Sequence, residues 1–150
     1  QIILHGVSMG AATVLMASGE ELPENVKVII ADCGYTSEWD EFKCEANALH
    51  IPWFPVLNAA SVLSRLRDGY DFKQASALEK VKQSRIPTLF IHGSDDELVP
   101  YSMLDKLYSA AACEKECLTV NGAGHALSSS VEPELYWNTV ESFIDKYLEK

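Results

Sequence analysis

The sequence has no apolar run close to the roughly 18 to 20 residues that a membrane-spanning helix needs. It also shows no signal peptide, internal repeat or low-complexity stretch, although a chain that begins inside a fold can lack a targeting segment that its parent carries. Basic residues are scarce, with 12 Lys and Arg against 22 Asp and Glu, and the net charge of −10 opposes binding to nucleic acid or anionic lipid. What is present, 150 residues of which 47% are hydrophobic, fits one soluble globular domain with a sizeable core.

Cysteines are few and unevenly spaced. The four are Cys33, Cys44, Cys113 and Cys117, and no two of them form a Cys-x-x-Cys pair. This spacing disfavours both a zinc site and a dense disulfide framework. We therefore expect free thiols in a reducing, cytoplasmic compartment, and an oxidised Cys113–Cys117 pair stays open as an alternative.

Short β-branched runs alternate with helical segments along the chain. The predicted strands are residues 1–5, 26–32, 88–92 and 116–120, and the predicted helices are about residues 11–18, 101–112 and 133–148. This alternation is typical of an α/β fold in which a parallel sheet carries helices on its faces.

Residues 37–82 break this rhythm, because the segment is too long for a simple crossover and is rich in aromatic residues. We interpret it as an inserted helical cap, with a bend at residues 51–55 between two short helices, since neither Pro52 nor Pro55 can continue a helix. Its aromatic residues are Trp39, Phe42, Trp53, Phe54, Tyr70 and Phe72. We expect most of them to pack the insertion onto the domain.

The segment Gly6-Val7-Ser8-Met9-Gly10 lies between the apolar residues 2–4 and a helix-favouring stretch that begins at Ala11. A strand, a tight turn and a helix in this order raise the hydroxyl of Ser8 above the sheet. Both glycines are expected to be needed, because a Cβ at either flank would collide with neighbouring backbone. The backbone N–H of Met9, at the start of the helix, is a candidate donor to an oxyanion.

Two later residues complete a catalytic pattern. Serine is a weak nucleophile unless a base lies within hydrogen-bond reach and an acid orients that base. Asp96 follows the third predicted strand, and His125 follows the fourth. Both lie at carboxyl ends of strands, where open α/β sheets bind their ligands. The order Ser8, Asp96, His125 therefore predicts a nucleophile, an orienting acid and a base.

Other residues compete for the roles of acid and base. Asp95 and Asp32 are alternative acids, and Asp32 is otherwise expected to be a turn or helix-capping residue. His5 and His92 end strands, where a histidine is more often structural than catalytic, and His50 is a weaker candidate.

Four segments together carry a resemblance to a known superfamily. They are residues 6–10 (Gly-Val-Ser-Met-Gly), 31–37 (Ala-Asp-Cys-Gly-Tyr-Thr-Ser), 92–100 (His-Gly-Ser-Asp-Asp-Glu-Leu-Val-Pro) and 122–125 (Gly-Ala-Gly-His). Over residues 1–150 the chain resembles the α/β-hydrolases, and within them it is most similar to bacterial hydrolases near the prolyl-oligopeptidase, dienelactone-hydrolase and cinnamoyl-esterase groups. In the superfamily's Gly-x-x-Asp-x-x-Val-Pro pattern the acid corresponds to Asp96. The resemblance implies the C-terminal portion of an α/β-hydrolase fold, with a helical cap insertion.

The activity that the resemblance implies is acyl transfer to water. We expect a serine hydrolase that acts on a carboxylic ester or a related acyl compound and needs no metal or organic cofactor. An aminopeptidase or dipeptidyl peptidase is the enzyme alternative, and a non-catalytic binding module is the alternative from another class. Trp53 and Phe54 of the cap are predicted to contact the substrate.

The resemblance also implies partners. The superfamily's second oxyanion donor lies in a loop after a strand that would precede Gln1, so we expect the N-terminal half of the same domain to be a partner, beside a small acyl substrate. The strand at residues 1–5 is expected to expose its edge, through which the isolated chain would form homo-oligomers or aggregate.

Overall fold

Four strands and seven helices follow one another through residues 1–148, the part of the chain that the computed structural model describes. In chain order they are β1 (Ile2–Val7), α1 (Met9–Ala17), β2 (Val26–Asp32), α2 (Glu38–Ala48), α3 (Trp53–Asp68), α4 (Ala77–Val81), β3 (Thr88–Gly93), α5 (Ser102–Ala110), β4 (Lys115–Val120), α6 (Ser128–Val131) and α7 (Pro133–Tyr147). The strands form one parallel sheet in the order β1-β2-β3-β4. The predicted parallel sheet with flanking helices is confirmed.

Most element boundaries lie within two residues of the prediction, and β2 matches it. Helix α1 begins at Met9 rather than Ala11, because the turn is confined to Ser8 and the chain is helical directly after it. Strand β4 begins at Lys115, in a stretch predicted as loop, since Lys115 pairs with Thr88 in the sheet. Its ammonium also donates to the carbonyls of Tyr108 and Ala111 at the end of α5. The pairing of Lys115 with Thr88 joins distant segments, so the local sequence does not show it.

The sheet buries both of its faces, as the nearly continuous apolar runs of β2 and β3 require. Alternate residues of these strands, among them Ile29 and Phe90, pack against α1, α4 and α5. The intervening residues, among them Ile30 and Leu89, pack against Tyr136 and other residues of α7. The core therefore consists of two layers, one on each side of the sheet.

Helices α2, α3 and α4 occupy most of the predicted cap segment. Helix α4 buries Ala77 and Val81 in the core layer beside α1, so it belongs to the packing of the main sheet. Helix α2 instead lies over the carboxyl end of the sheet, where it borders the same cavity as Ser8. Several of the cap's aromatic side chains pack on one another, and the rings of Phe42 and Phe72 have centroids 4.8 Å apart.

The first helical turn of α3 contains the bend expected near the prolines. Phe54 has extended backbone angles (φ −99°, ψ 130°) inside the helix boundaries, so regular helix begins only at Pro55. Residues 49–52 link this turn to α2, which ends at Ala48. The prediction of two helices separated by a bend agrees with this arrangement, although α3, at 16 residues, is not short.

The carboxyl ends of the four strands lie on one side of the sheet, and β3 and β4 extend two residues beyond β1 and β2. Val7 pairs with Asp32, Asp32 pairs with Ile91, and Gly93 pairs with Val120. Within the described residues, β1 and β4 are the edge strands. The loops after β1, β3 and β4, which carry the three predicted catalytic residues, therefore leave the sheet on the same side.

Close backbone contacts hold two of these loops in place. A Cβ on Gly6 would lie 2.2 Å from the carbonyl oxygen of Gly10, and a Cβ on Gly93 would lie 2.2 Å from that of Ala123. Gly10 itself has no heavy atom of the described residues within 4 Å of the position its Cβ would take. The expectation that both glycines around Ser8 are sterically required is therefore wrong for Gly10, because the α1 backbone turns its open side outward there.

This asymmetry gives a matched pair of variants. We expect Gly6→Ala to lower the free energy of unfolding by about 1–3 kcal/mol or more, as overpacking against fixed backbone does. Gly10→Ala should be neutral or stabilising by up to about 1 kcal/mol, since alanine favours a helix more than glycine does. Urea unfolding of both variants checks this, and equal midpoints for the two would contradict it.

Candidate active site

Ser8 lies at the junction between β1 and α1, in a conformation that side chains rarely adopt. Its backbone angles are φ 55° and ψ −116°, which places a non-glycine residue at positive φ. The amide N–H of Ser8 donates to the carbonyl oxygen of Asp32 at 2.9 Å and so fixes the turn to the neighbouring strand. Met9 is the first residue of α1, where a backbone N–H has no acceptor within its own helix.

His125 lies between the two other predicted site residues. Its Nε2 is 2.8 Å from Oγ of Ser8, and its Nδ1 is 2.9 Å from Oδ2 of Asp96. Because an ionised carboxylate can only accept, Nδ1 carries the proton and donates it to Asp96. Nε2 of the neutral ring is then left as an acceptor for the hydroxyl of Ser8. The structure thus brings Ser8, His125 and Asp96 into one hydrogen-bonded line.

Asp96 is a buried carboxylate held by several donors. Its Oδ1 accepts from the backbone N–H of Leu98 at 3.0 Å and of Val99 at 2.9 Å. Nε2 of buried His92 lies 3.3 Å from Oδ2 and 2.9 Å from the carbonyl oxygen of Val99, so it donates toward both. Burial would raise the pKa of Asp96, but the hydrogen bonds from His92, His125 and Val99 outweigh it and lower the pKa. The group therefore stays ionised while buried.

The alternative acids lie elsewhere. Asp95 is exposed and accepts from the hydroxyl of Ser94 at 2.6 Å. Asp32 is the last residue of β2 and is buried, with Oδ1 accepting from the hydroxyl of Ser128 at 3.3 Å. Burial raises the pKa of Asp32 despite hydrogen bonds from Tyr136 and Ser128. Asp32 thus fills neither of the turn and helix-capping roles expected of it.

The remaining histidines are not hydrogen-bonded to Ser8. Nε2 of His5 lies 3.0 Å from the hydroxyl of Tyr136, and burial lowers the pKa of this imidazole. His50 is exposed in the turn that follows α2. His92 contacts Oδ2 of Asp96 rather than the serine.

One donor set at the site could in principle hold a metal ion. Sγ of Cys33, a carboxylate oxygen of Asp96 and a ring nitrogen of His125 lie within 4.8 Å of one another. However, burial raises the pKa of the Cys33 thiol to about 12, which keeps the thiol protonated and opposes coordination. The cysteines are all free within the described residues, so Cys113 and Cys117 form no disulfide.

Ser8 borders a cavity of about 170 Å³ between the sheet edge and α2. Its other lining residues are Met9, Tyr35, Glu38, Glu41, Phe42, Glu45 and Leu98. A larger apolar groove of about 350 Å³ lies between α2 and α3 and shares Phe42 and Glu45 with this cavity. Trp53 lines the groove but not the cavity. Phe54 lines neither and is 64% exposed, so the structure does not bring it to Ser8.

Sequence reasoning missed the carboxylates of this cavity. Glu41 is only 7% exposed, and its Oε2 has no hydrogen-bond partner within residues 1–148. Burial raises the pKa of Glu41 to about 7, with further contributions from the negative charges of Glu45 and Asp96. The signal available in the sequence was the spacing of Glu38, Glu41 and Glu45, which places three acids on one face of a helix directly after a buried strand.

A model of the prolyl oligopeptidase family matches residues 1–150. Among curated relatives, the uncharacterized protein YqkD of Bacillus subtilis is 31% identical over 143 residues, which cover 95% of this chain and 47% of that protein. The chain thus spans just under half the length of the first curated relatives it matches.

Solved structures of similar fold include an esterase and a peptidase. An esterase of Pyrococcus furiosus has a TM-score of 0.73 at 18% identity, with 99% of this chain and 55% of that chain covered. An acylaminoacyl peptidase of Pyrococcus horikoshii has a TM-score of 0.66 at 16% identity, with 100% and 24% covered. The predicted α/β-hydrolase fold, present here in part, is confirmed. Among the helices of residues 1–148, none has both the length and the apolar character that crossing a bilayer requires.

The unpartnered burial of Glu41 makes stability depend on pH. Because its folded pKa of about 7 exceeds the ordinary value of 4.5, the folded state retains a proton that the unfolded state releases between these pH values, and stability falls as pH rises through that window. We expect Glu41→Gln to be more stable than the wild type at pH 8 by roughly 1–3 kcal/mol, and to gain much less at pH 5. Thermal unfolding at both pH values measures this.

Exposed Glu134 on α7 provides the matched control. Glu134→Gln makes the same change of charge without relieving burial, so it should not stabilise the protein at either pH and should cost at most about 0.3–1 kcal/mol, because Glu134 lies in the first turn of α7. Equal effects of the two substitutions at pH 8 would refute the assignment to Glu41.

Proposed function

The chain belongs to the prolyl oligopeptidase family of α/β-hydrolases, and on that basis we propose that it supplies the catalytic residues of a serine hydrolase that cleaves a carboxylic ester or a related acyl compound. The observation that carries the proposal is the hydrogen-bonded line from Ser8 through His125 to buried Asp96. Family and fold support a hydrolase, and the choice of an ester is part of the proposal.

In the first step, Oγ of Ser8 attacks the substrate carbonyl carbon while Nε2 of His125 takes the hydroxyl proton. The distance of 2.8 Å between these atoms is suited to that transfer. Asp96 keeps the Nδ1 proton in place and stabilises the imidazolium that forms. The backbone N–H of Met9, free at the start of α1, donates to the oxygen on which negative charge develops.

In the second step, the tetrahedral intermediate collapses and His125 returns the proton to the departing alcohol. This leaves an acyl group on Oγ of Ser8. A water molecule then loses a proton to Nε2 and attacks the acyl carbon, and the proton passes back to Oγ as the carboxylic acid leaves. The overall reaction consumes one ester and one water and yields one acid and one alcohol.

An aminopeptidase or dipeptidyl peptidase is the second candidate, and the family match is what favours it. The same residues would cleave an amide by the same steps, with the amine in place of the alcohol. A non-catalytic binding module would have the fold but no activated serine, so chemical labelling separates it from both enzymes.

Fluorophosphonate labelling is the primary test. The probe reacts with a serine activated by a base, so we expect one adduct on the full-length natural protein, mapped to Ser8 by peptide mass spectrometry, and none on Ser8→Ala. Labelling of the Ser8→Ala variant at the wild-type rate, or no labelling of the wild type, would refute the proposal.

The two adjacent aspartates provide a matched pair for the role of the acid. Asp96→Asn should lower kcat/KM for an aryl acetate by about 10³–10⁴, because the imidazole loses the group that holds its reactive tautomer. Asp95→Asn changes an exposed neighbour that contacts Ser94 and should leave kcat/KM within about twofold. Similar losses in both variants would count against Asp96 as the orienting acid.

The apolar groove suggests where a long acyl chain lies. We expect Trp53→Ala to lower kcat/KM for an octanoyl ester by about tenfold through lost apolar contact, and to leave an acetyl ester unaffected. Phe54→Ala removes an aromatic side chain outside the groove and serves as the comparison. An equal loss for both ester lengths would show that Trp53 acts on the fold instead of the substrate.

A further inference from the structure

The cavity beside Ser8 carries more negative charge than its surroundings compensate. Three of its lining residues, Glu38, Glu41 and Glu45, are acidic, and none of its lining residues is basic. Lys43, the basic residue of α2, lies instead over the ring of Trp53 at 4.7 Å. Within residues 1–148, no salt bridge involves any of the three glutamates.

Two of these carboxylates also have buried oxygens without hydrogen-bond partners. Oε2 of Glu38 and Oε2 of Glu41 are both shielded and unpaired within residues 1–148. The other oxygen of Glu38 lies at the limit of hydrogen-bond length, 3.5 Å from the hydroxyl of Tyr70. Leaving a buried carboxylate oxygen unpaired is unfavourable, so natural proteins usually pair such groups with a cation or a donor.

The stability of α2 does not account for this arrangement. Acidic residues in a first helical turn are favourable, which accounts for Glu38 and Glu41, but Glu45 lies near the carboxyl end of α2, where a negative charge is unfavourable. Glu41 and Glu45 are four residues apart, a spacing at which like charges repel. The charge of Glu45 therefore makes α2 less stable, and no salt bridge within residues 1–148 compensates for it.

We propose that these carboxylates bind a substrate ammonium group, so that the enzyme acts on acyl compounds carrying a protonated amine close to the scissile carbonyl. Charge-assisted hydrogen bonds from an ammonium would satisfy both unpaired oxygens. Tyr35 lines the same cavity, and an aromatic ring there can attract a cation. This inference rests on the proposed serine hydrolase function and specifies its substrate class.

Cavity size limits how far the amine can lie from the reacting carbon. A cavity of about 170 Å³ is smaller than the roughly 300–1,000 Å³ of typical ligand pockets, so it can hold only a small group. Since Ser8 borders the same space, the ammonium must be within a few bonds of the carbonyl. The adjoining apolar groove, which shares Phe42 and Glu45 with the cavity, is placed to receive an apolar side chain of the same acyl group. An amino-acyl ester or amide with an apolar side chain meets both conditions.

The test compares two esters of equal shape on the full-length natural protein. One is the phenyl ester of leucine, and the other is the phenyl ester of 2,4-dimethylpentanoic acid, in which a methyl group replaces the ammonium. At pH 7 the α-amino group, with a pKa of about 7.7–8.0, is mostly protonated. The readout is the ratio of the two kcat/KM values, compared between variants so that the intrinsic reactivity of the esters cancels.

We expect Glu41→Gln to lower this ratio by about tenfold to a hundredfold, the range typical of a lost hydrogen bond to a charged group. Glu38→Gln should lower it less, and the double variant most. Glu134→Gln, an equal change of charge on exposed α7, should leave it unchanged. Each variant is labelled with fluorophosphonate as well, and an unchanged rate shows that Ser8 is still activated.

The outcomes separate the two proposals. If Ser8 is labelled and the neutral ester is hydrolysed, but the ratio in the double variant stays within twofold of the wild type, the ammonium site is refuted and the hydrolase stands. If Ser8 is not labelled and neither ester is hydrolysed, both proposals fall. A lower ratio confined to the cavity variants, with labelling intact, supports both.

Discussion

Three hydrogen-bonding side chains meet at this site because four parallel strands end on the same side of the sheet in a fixed register. Ser8 follows β1, the first strand in the order of the described sheet, Asp96 follows β3, and His125 follows β4, the last strand in that order. A shift of one residue in any strand would move a loop by more than 3 Å and would exceed the tolerance of hydrogen bonds 2.8 and 2.9 Å long. The register in turn depends on two core layers and on close backbone approach at Gly6 and Gly93.

The fold and the order of the site residues could be predicted because local patterns encode them. Alternating apolar runs identify the strands, and a serine between a strand and a helix identifies the turn. The choice of Asp96 over Asp95 followed from the motif, and the structure shows its physical basis in donors from Val99 and His92 that only Asp96 reaches.

What could not be predicted depends on contacts between distant segments. The start of β4 at Lys115 follows from its pairing with Thr88. The open space at the Cβ position of Gly10 depends on which segments pack near α1. The face that α2 turns toward Ser8 is likewise set by packing, so the sequence pointed to conspicuous aromatic residues, whereas the structure lines the cavity with acids such as Glu41. Large aromatic residues are natural candidates for substrate contacts when only the sequence is known. The position of a helix relative to the sheet, however, decides which side chains border a cavity.

Two buried carboxyl groups near Ser8 have opposite environments. Asp96 is surrounded by donors, so its pKa is lowered and it remains a fixed negative charge beside His125. Glu41 is buried without such donors and lies near other negative groups, so its pKa is raised and its charge responds to its surroundings. Environments that separate the pKa values of neighbouring acids commonly separate their roles. Here the first is suited to holding a histidine, and the second to responding to an incoming cation.

The contact between Ser8 and His125 joins residues 117 positions apart in the sequence. It links the loops after β1 and β4, the outer two of the four described strands, so it requires β2 and β3 to be paired between them. Reactivity of the serine would therefore be gained late and all at once during refolding, after local helices and neighbouring strand pairs have formed. Quenched-flow labelling with a serine-directed probe would then time the completion of the sheet. Circular dichroism of the helices does not report this long-range event.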